Sequence, residues 1–471
     1  MRENPVLEEP KLKMFGGIWG GLVPLAVLII FLTILSVGGT AGVKALWTAG
    51  WLALLVGLFF AKNKAFYCTT LIKGLGDNNG IVIVTAWLFA GVFGKLMVAG
   101  GLVSGLLWFG LKTEAGGALF AFLSFLTAMV FSIGTGTSTG TVISLVPVLY
   151  PAGVFLGANP AVLALGILSG AAFGDNLAPI SDTTIVSAYT QEAKMRDVVR
   201  SRFPLSLTAA FFSGAVIFLF GGGGNRQPLP EIQTQVNPAG MLMLISFAVV
   251  IISALWGRHL IESLIYGNVS AILTGLIIGQ IHLNDLFRIP GFRGETTGII
   301  QDGINSVVGA IVFALLMLGI AQVLIESGVL AKILKSLEQS IVKTVKQAEL
   351  FIILSTITAS IPIASNAAAE LLVGPSLVKS LGDKFNLAPA RKANLMDCAV
   401  CSLFYTLPWH IAVVVWYGAL QSAAESFQLP RLPISISFLN PYSWALLAVL
   451  IISALTGWNR KFITQINPVK S

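Results

Sequence analysis

Phe173-Gly-Asp-Asn-Leu-Ala-Pro-Ile-Ser-Asp-Thr-Thr184 is the stretch that decides how this chain folds. It carries two carboxylates, a proline and three hydroxyls, yet apolar sequence flanks it on both sides. Ala161 to Phe173 is apolar but for Ser169, and Ile185-Val-Ser-Ala-Tyr189 follows. Flanks of this kind set the stretch at membrane depth, where a carboxylate at the bilayer centre costs about 2.5–3.5 kcal/mol on insertion scales. Two acids within eight residues, Asp175 and Asp182, therefore need a compensating cause: a cation, a proton, or a polar cavity that receives them.

The remainder of the sequence supplies the membrane segments. Of 471 residues, 55% are hydrophobic and 11% charged, against about 25% charged in soluble chains. Apolar runs of roughly 20 residues specify spanning α-helices rather than a barrel. The expected fold is an all-α polytopic membrane protein. Its apolar segments number nominally fourteen. Some of the shorter ones are candidates to be re-entrant, which gives about 11–14 membrane segments. No sizeable soluble domain fits between them. The net charge of +8 does not point to nucleic acid, because basic residues of membrane proteins gather in cytoplasmic loops. The expected partner is the lipid bilayer, and no cofactor is implied. The run from Phe15 to Val37 is too long for a signal-peptide core and is expected to be an uncleaved first span. Cys398 and Cys401 form a C-x-x-C without a second pair, and with Cys68 they are expected to pack as small apolar residues.

The basic residues order the spans. Arg2, Lys11 and Lys13 precede the first; Lys62, Lys64 and Lys73 follow the second; Lys194, Arg196, Arg200 and Arg202 crowd the loop after segment 160–190. Lys332, Lys335, Lys343 and Lys346 suit a cytoplasmic amphipathic helix, Lys384, Arg391 and Lys392 precede segment 390–420, and Arg460, Lys461 and Lys470 close the chain. All fall on one side if both termini are cytoplasmic. The opposite loops are lean: Lys44, Lys112, Arg226, Arg288 and Arg293. The expected location is a bacterial-type cell (inner) membrane, multi-pass, and a homodimer is compatible with it. Trp19, Trp47, Trp256 and Trp458 suit interfacial anchors.

Two polar-broken modules stand out. The first holds Ser132-Ile-Gly-Thr-Gly-Thr-Ser-Thr-Gly-Thr141 and then the Asp175/Asp182 stretch. The second holds Ser360-Ile-Pro-Ile-Ala-Ser-Asn366 and then Met396-Asp-Cys-Ala-Val-Cys-Ser-Leu-Phe-Tyr-Thr-Leu-Pro-Trp-His410. Each is an interrupted helix pair followed by an interrupted helix with an acid and a proline, and the charge pattern gives the two opposite orientations. This is the mark of an inverted-topology repeat transporter with discontinuous helices. The chain divides accordingly into a cytoplasmic tail (1–14), scaffold helices (15–111), a first transport module (112–221) and a Gly-rich linker (222–238). Further scaffold with the amphipathic helix (239–347), a second, inverted module (348–425) and a last helix with its tail (426–471) complete it.

The chemistry of the breaks is specific. Gly134, Gly136 and Gly140 disfavour continuous helix, and Pro179, Pro362 and Pro408 each remove a backbone donor. Unwound backbone at that depth must line a protein-enclosed or wet cavity. Thr135, Thr137, Ser138, Thr139, Asn176, Ser181, Thr183, Thr184, Ser365 and Asn366 add oxygens to the freed carbonyls. With the carboxylates of Asp175, Asp182 and Asp397 they suit a small hard cation such as Na⁺. Plainer roles compete at each position. Asp175 and Asp182 suit helix caps, the Gly/Thr/Ser run suits tight helix packing, and Asn366 an interhelical hydrogen bond. Asp397 is within reach of Arg391 or Lys392, Glu370 of a cap after the break, His410 of a packed polar contact, and Lys95 of snorkelling or pairing with an acid.

Gly174-Asp-Asn-Leu-Ala-Pro-Ile-Ser-Asp-Thr-Thr184 and Gly136-Thr-Ser-Thr-Gly-Thr141, in that spacing, resemble the signature of the NhaC family of Na⁺/H⁺ antiporters. The resemblance covers roughly residues 80–458. It implies a cation site at Asp175 and Asp182, lined by Thr137, Ser138 and Thr139. The second half departs from the family's Asp-Ser-Gly-Thr and Pro-Trp-Asn elements: Asp397-Cys-Ala-Val400 and Pro408-Trp-His410 stand there, with the acid kept and the hydroxyl and asparagine replaced. The expectation is a Na⁺(Li⁺)/H⁺ antiporter working by alternating access, with Na⁺ and H⁺ transported. The alternative is a Na⁺-coupled carrier or exchanger of a small organic acid or amino acid. A channel fits paired inverted modules less well. An intramembrane aspartyl protease lacks its Gly-x-Gly-Asp, since Ala172-Phe-Gly-Asp175 stands here, so no enzyme is expected.

Overall fold

The computed structural model describes residues 12–37, 43–76, 78–113, 116–224, 237–289, 296–329, 332, 342–363 and 365–463. Arg2, Lys11, Arg226, Arg293, Lys335 and Lys470, most of the Gly-rich linker, and residues 333–341 of the expected amphipathic helix lie outside them. Among the described residues there are helices and isolated bridges but no strands, as a bilayer demands of a chain whose backbone groups must be satisfied within each segment.

The first part comprises α1 (Val23–Val37), α2 (Val43–Phe60), α3 (Lys64–Leu75), α4 (Asn78–Ala99) and α5 (Leu102–Lys112). The α4–α5 pair bends by 54° at Gly100–Gly101, where Gly101 takes φ 80°. The first module follows: α6 (Gly117–Thr135), α7 (Ser138–Phe155), α8 (Pro160–Leu177), α9 (Asp182–Thr190) and α10 (Met195–Phe220). Next come α11 (Leu244–Leu255), α12 (Leu260–Ile277), the short α13 (Leu283–Leu286) and α14 (Ile299–Glu326). The second module comprises α15 (Val345–Ser360), α16 (Asn366–Val373), α17 (Lys379–Lys384), α18 (Pro389–Leu403) and α19 (Ile411–Phe427), and α20 (Pro441–Thr456) ends the described fold. Seven of the described helical segments are long and apolar enough to cross a bilayer, eight if the bent pair is one span.

The inversion follows from which ends meet. Asn159, at the start of α8, donates to Gly221 O at the end of α10 (2.8 Å). The start of α10 lies instead beside Ala388–Ala390 and Lys461, around one surface pocket. α10 has 26 residues, roughly 39 Å at 1.5 Å per residue, so α8 and α18 begin on opposite faces and run in opposite directions. α9 ends at Thr190, and Glu192 just beyond it lies in that same pocket beside the start of α18. α19 ends where Phe427 stacks edge-on against Phe155 (6.3 Å), at the face where α8 begins.

The paired helices before each broken helix are hairpins. A Cβ on Gly117 would lie 2.1 Å from Gly157 O, so α6 starts and α7 ends on one face and the chain turns back at Gly136–Thr137. Glu349 near the start of α15 pairs with Arg391 and Arg460, and Asp383 on α17 pairs with Lys392. That hairpin therefore enters from the other face and turns back between α15 and α16. Lys13, Lys62, Lys73, Lys194, Arg196, Arg200, Arg460 and Lys461 collect on this second face, and both ends of the described chain, Leu12 and Ile463, are held there by bonds to Glu326 O and Asn386 O.

Arg202 does not belong to that basic loop. α10 begins eight residues before the apolar run at 203, and Val198, Arg202, Leu205 and Ala209 form its buried stripe while Arg196 and Arg200 remain exposed.

Candidate functional site

The hairpin tips and the two broken helices meet at Asp175. α8 ends because Pro179 follows Ala178, whose ψ of 129° is the extended conformation imposed before proline. Asp175 is thus placed near the end of α8, with 4% of its surface exposed. Its Oδ1 accepts from Ser181 Oγ (2.7 Å), and its Oδ2 accepts from Ser138 Oγ (3.1 Å), Asn366 Nδ2 (3.3 Å) and the Tyr405 hydroxyl. Ser138 opens α7 at the first tip, Asn366 opens α16 at the second, and Tyr405 lies in the break after α18. Four different interruptions therefore aim donors at one carboxylate.

Local rules explain each position. Gly136 closes α6 in the left-handed region (φ 66°), where a side chain would be strained, and a Cβ there would also reach Ile180 at 2.6 Å. Thr137 then caps α7 through Gly140 N, and Ser365 caps α16 through Ala368 N. Ser181 occupies the N-cap of α9 but makes no cap bond with its side chain. Its hydroxyl goes to Asp175 instead. Asp182 stands in the first turn of α9, where the helix dipole favours an anion. It accepts from Thr183 N (2.8 Å) and is half-buried.

A cavity of about 390 Å³ reaches this point. It is lined by the first tip (Thr135, Gly136, Thr137, Ser138, Thr139), by Asp175 and Asp182, and by Ser365 and Asn366. Ile185, Arg258 and His259 line it as well. Ile185 is on α9 beyond Asp182, towards Glu192, so the cavity extends towards the basic face. Its oxygens are carboxylate, hydroxyl and amide, the donor set of hard cations. Among the described residues no cluster of three His, Cys, Asp or Glu side chains is spaced as a metal centre.

Asp397 is elsewhere. It does not line the cavity, and both it and Arg202 have no exposed side-chain surface. Arg202 Nη1 is 2.7 Å from Asp397 Oδ2. Asn176 Nδ2 donates to Asp397 Oδ1 (2.8 Å), and Ser187 Oγ to Oδ2 (3.3 Å). Arg202 also donates to Asn176 O (2.5 Å), capping a carbonyl freed by the break in α8, and to Thr184 Oγ1 (2.9 Å) and Asn394 Oδ1 (3.0 Å). Asn176 and Thr184 thus serve this ion pair, and Thr183 bonds Ser181 (3.0 Å) next to Asp175. Arg391 and Lys392, the basic neighbours of Asp397 in sequence, pair with Glu349 and Asp383. His410 is buried with Nδ1 2.9 Å from Phe404 O, and Trp409 Nε1 donates to Ile361 O (2.8 Å), tying the break in one helix to the second tip. Lys95 reaches Ser426 Oγ at 3.4 Å.

Sequence reasoning missed Tyr405 and Arg202. Tyr405 lay inside the quoted break of the second module, where a hydroxyl at depth was a signal. Arg202 was detectable from the i, i+3, i+4 apolar pattern that continues back from Leu205 to Val198.

Two inverted modules whose hairpin tips meet over a buried acid define a secondary-transporter architecture. The chain belongs to the Na⁺/H⁺ antiporter family, which matches residues 9–222 and 231–461. It is similar to a Haemophilus influenzae protein named an uncharacterized Na⁺/H⁺ antiporter, 25% identical over 74% of this chain and 77% of that one. It is also similar to the Na⁺/H⁺ antiporter NhaC of Alkalihalophilus pseudofirmus, 23% identical over 70% and 72%. The malate-2H⁺/Na⁺-lactate antiporter of Bacillus subtilis is 29% identical over 38% of each chain. The chain is accordingly a multi-pass membrane transporter of the antiporter type and not an enzyme, of a family whose ions are Na⁺ and H⁺.

Proposed function

We propose that this chain exchanges Na⁺ (or Li⁺) for protons by alternating access, with Asp175 and Asp182 as the shared cation and proton site. The observation that carries this reading is the convergence of Ser138, Ser181, Asn366 and Tyr405 on Asp175 at the inner end of a cavity. A cation entering along Asp182 meets Asp175, and the hydroxyls of Ser138, Ser181 and Thr139 and the Asn366 amide oxygen complete its shell. Bound proton and bound cation compete for the same carboxylate oxygens, since the charged form of a buried acid needs a countercharge. That competition couples their opposite movements. The cavity seen here extends towards the basic face, which the positive-inside rule assigns to the cytoplasm; the termini are cytoplasmic on the same ground. Closure of the tips around Asp175 and opening of the other face complete the cycle.

A second use of the site is favoured by one observation. The cavity, at about 390 Å³, is far larger than a bare cation, and Arg258 and His259 are among the residues that line it. That geometry suits exchange of a small organic acid, the chemistry named for the Bacillus subtilis relative. Proteoliposomes with an imposed pH gradient separate the two. Dissipation on adding Na⁺ or Li⁺ alone, lost in Asp175→Asn and Asp182→Asn proteins that still insert, supports cation exchange. Dissipation only on adding malate, lactate or another organic solute refutes it. Exchange at the wild-type rate in both variants refutes the site.

A further inference from the structure

Glu370 is a carboxylic acid that the cation site does not use. It lies on α16, one helical turn beyond Asn366 and on the same helix face. Asn366 bonds Asp175; Glu370 therefore stands about 6 Å further along the axis, towards the basic face where this hairpin enters. Its side chain is fully buried, and neither Oε1 nor Oε2 has a hydrogen-bond donor among the described residues. Asp175, by contrast, has four, and Asp397 has an arginine.

An ionised carboxylate without donor or countercharge is the costliest group a protein interior can hold, and it neutralises instead. The charged and titratable groups around Glu370 do not relieve that cost. Asp397 and Arg202, on α18 and α10, are nearest in effect but already neutralise each other at 2.7 Å. Asp182 on α9 and Asp175 on α8 are further anions, and Cys401 on α18 is a thiol that already bonds Asp397. The same hairpin continues into Gly374, whose carbonyl accepts from Gln191 Nε2 (2.9 Å), while Gln191 Oε1 is buried and unpartnered among the described residues. Two residues with unpartnered oxygens, Glu370 and Gln191, are thus linked through this hairpin, Gln191 standing at the end of α9 on the basic face.

Resting on the antiport reading above, we propose that Glu370 carries a second transported proton. It holds that proton as a neutral acid while the second hairpin is seated as seen here. When the hairpin shifts, water reaches the carboxyl from the Gln191 side, the O–H bond breaks, and the proton leaves on water as Glu370 becomes a hydrated carboxylate. Reprotonation from water on the other side of the cycle returns it to the buried state. The proton therefore travels with the moving hairpin and not at the cation site.

Glu370→Gln is the test, because the amide keeps the volume and cannot titrate. Two measurements are made on purified, reconstituted protein. The zero-flux condition, found by balancing a Na⁺ gradient against a pH gradient, gives protons per Na⁺, and the ratio is expected to fall by one in the variant. Infrared difference spectra between high and low pH give the carbonyl bands of protonated carboxyl groups, of which one component is expected to be lost in Glu370→Gln and retained in Asp175→Asn. An unchanged proton ratio overturns the proposal. An unchanged infrared spectrum overturns it independently. A wild-type protein that shows that component but exchanges no Na⁺ or Li⁺ for protons overturns the antiport reading and the transported proton with it; the component alone reports the buried acid. Should Glu370→Gln fail to insert, Glu370→Met, which leaves no buried polar group and cannot titrate, is expected to lower the ratio by one, and an unchanged ratio there overturns the proposal.

Discussion

Replacing Arg202 with methionine should destabilise the whole protein, although Arg202 touches neither the cavity nor the solvent. The guanidinium is the only cation within salt-bridge distance of Asp397 among the described residues, and both side chains are entirely buried. Removing one partner of such a pair leaves an uncompensated charge, at about 3–5 kcal/mol. Arg202→Met also strips a donor from Asn176 O at the break in α8 and from Thr184 and Asn394, which places the loss in the upper part of that range. Asp397→Asn should cost a similar amount, because the guanidinium then keeps only neutral acceptors. The double variant Arg202→Met/Asp397→Asn buries no charge at this position. Its loss should therefore be smaller than the sum of the single losses, with a coupling of about 1–3 kcal/mol. Unfolding in mixed detergent micelles by rising SDS, followed by circular dichroism, gives the three differences. An Arg202→Met protein as stable as wild type, or a double variant whose loss equals the sum, refutes the claim that the pair is what makes Asp397 tolerable at membrane depth.

Two further outcomes follow from close contacts. Gly174→Ala should lower the thermal midpoint and cost about 1–3 kcal/mol of overpacking, because a Cβ there would meet Ser132 Cβ at 2.2 Å and the Ile133 backbone nitrogen at 2.6 Å; an unchanged midpoint would mean that α6 and α8 separate freely. Tyr405→Phe keeps the buried ring but removes one of the four donors to Asp175, and a hydrogen bond to a charged group is worth about 1.5–3 kcal/mol, so apparent Na⁺ affinity in the proteoliposome assay should fall on the order of tenfold or more, and wild-type affinity would show that the hydroxyl is not part of the site.

The membrane class and the paired modules were legible because lipid leaves so few options: apolar runs must be helices, and interrupted ones must line something. The Asp175 neighbourhood was legible for the same reason. Ser138, Ser181 and Asn366 are polar residues at breaks, and all three bond Asp175. Asp397 was legible as an acid at depth but not as one half of an ion pair, because its partner is distant in sequence. Arg202 was hidden by the run of basic residues around it, which the positive-inside rule absorbs without regard to helix face. Glu370 had no sequence signal that separates a cap from a buried acid, since both follow a break by one turn; only the packing of α16 distinguishes them. The scaffold helices α1, α2 and the α4–α5 pair could be located but not docked, as a uniformly apolar helix carries no stripe that says which face meets protein and which meets lipid; α3 was absorbed into the basic loop after the second span because Lys64 and Lys73 stand at its two ends.

Asp397 and Asp175 differ in what holds them, and that difference bears on which parts move. Asp397 is bound to Arg202, and through Asn176, Thr184 and Asn394 the pair fastens α8, α9, α10 and α18 together. Every partner in that network is on a broken or crossing helix, and none is on a hairpin. Asp175 is held differently: Ser138 and Asn366 reach it from the two tips and Ser181 and Tyr405 from the two breaks. Glu349, Arg391 and Arg460 anchor the root of the second hairpin at the basic face. The second hairpin is thus tied at its root by ion pairs and at its tip by Asn366 to Asp175 and by Trp409 to Ile361 O, and on the proposed exchange only the bond to Asp175 would be loosened by a proton giving way to a cation. The crossing helices, clamped by an ion pair that no transported species replaces, have no such cause to part.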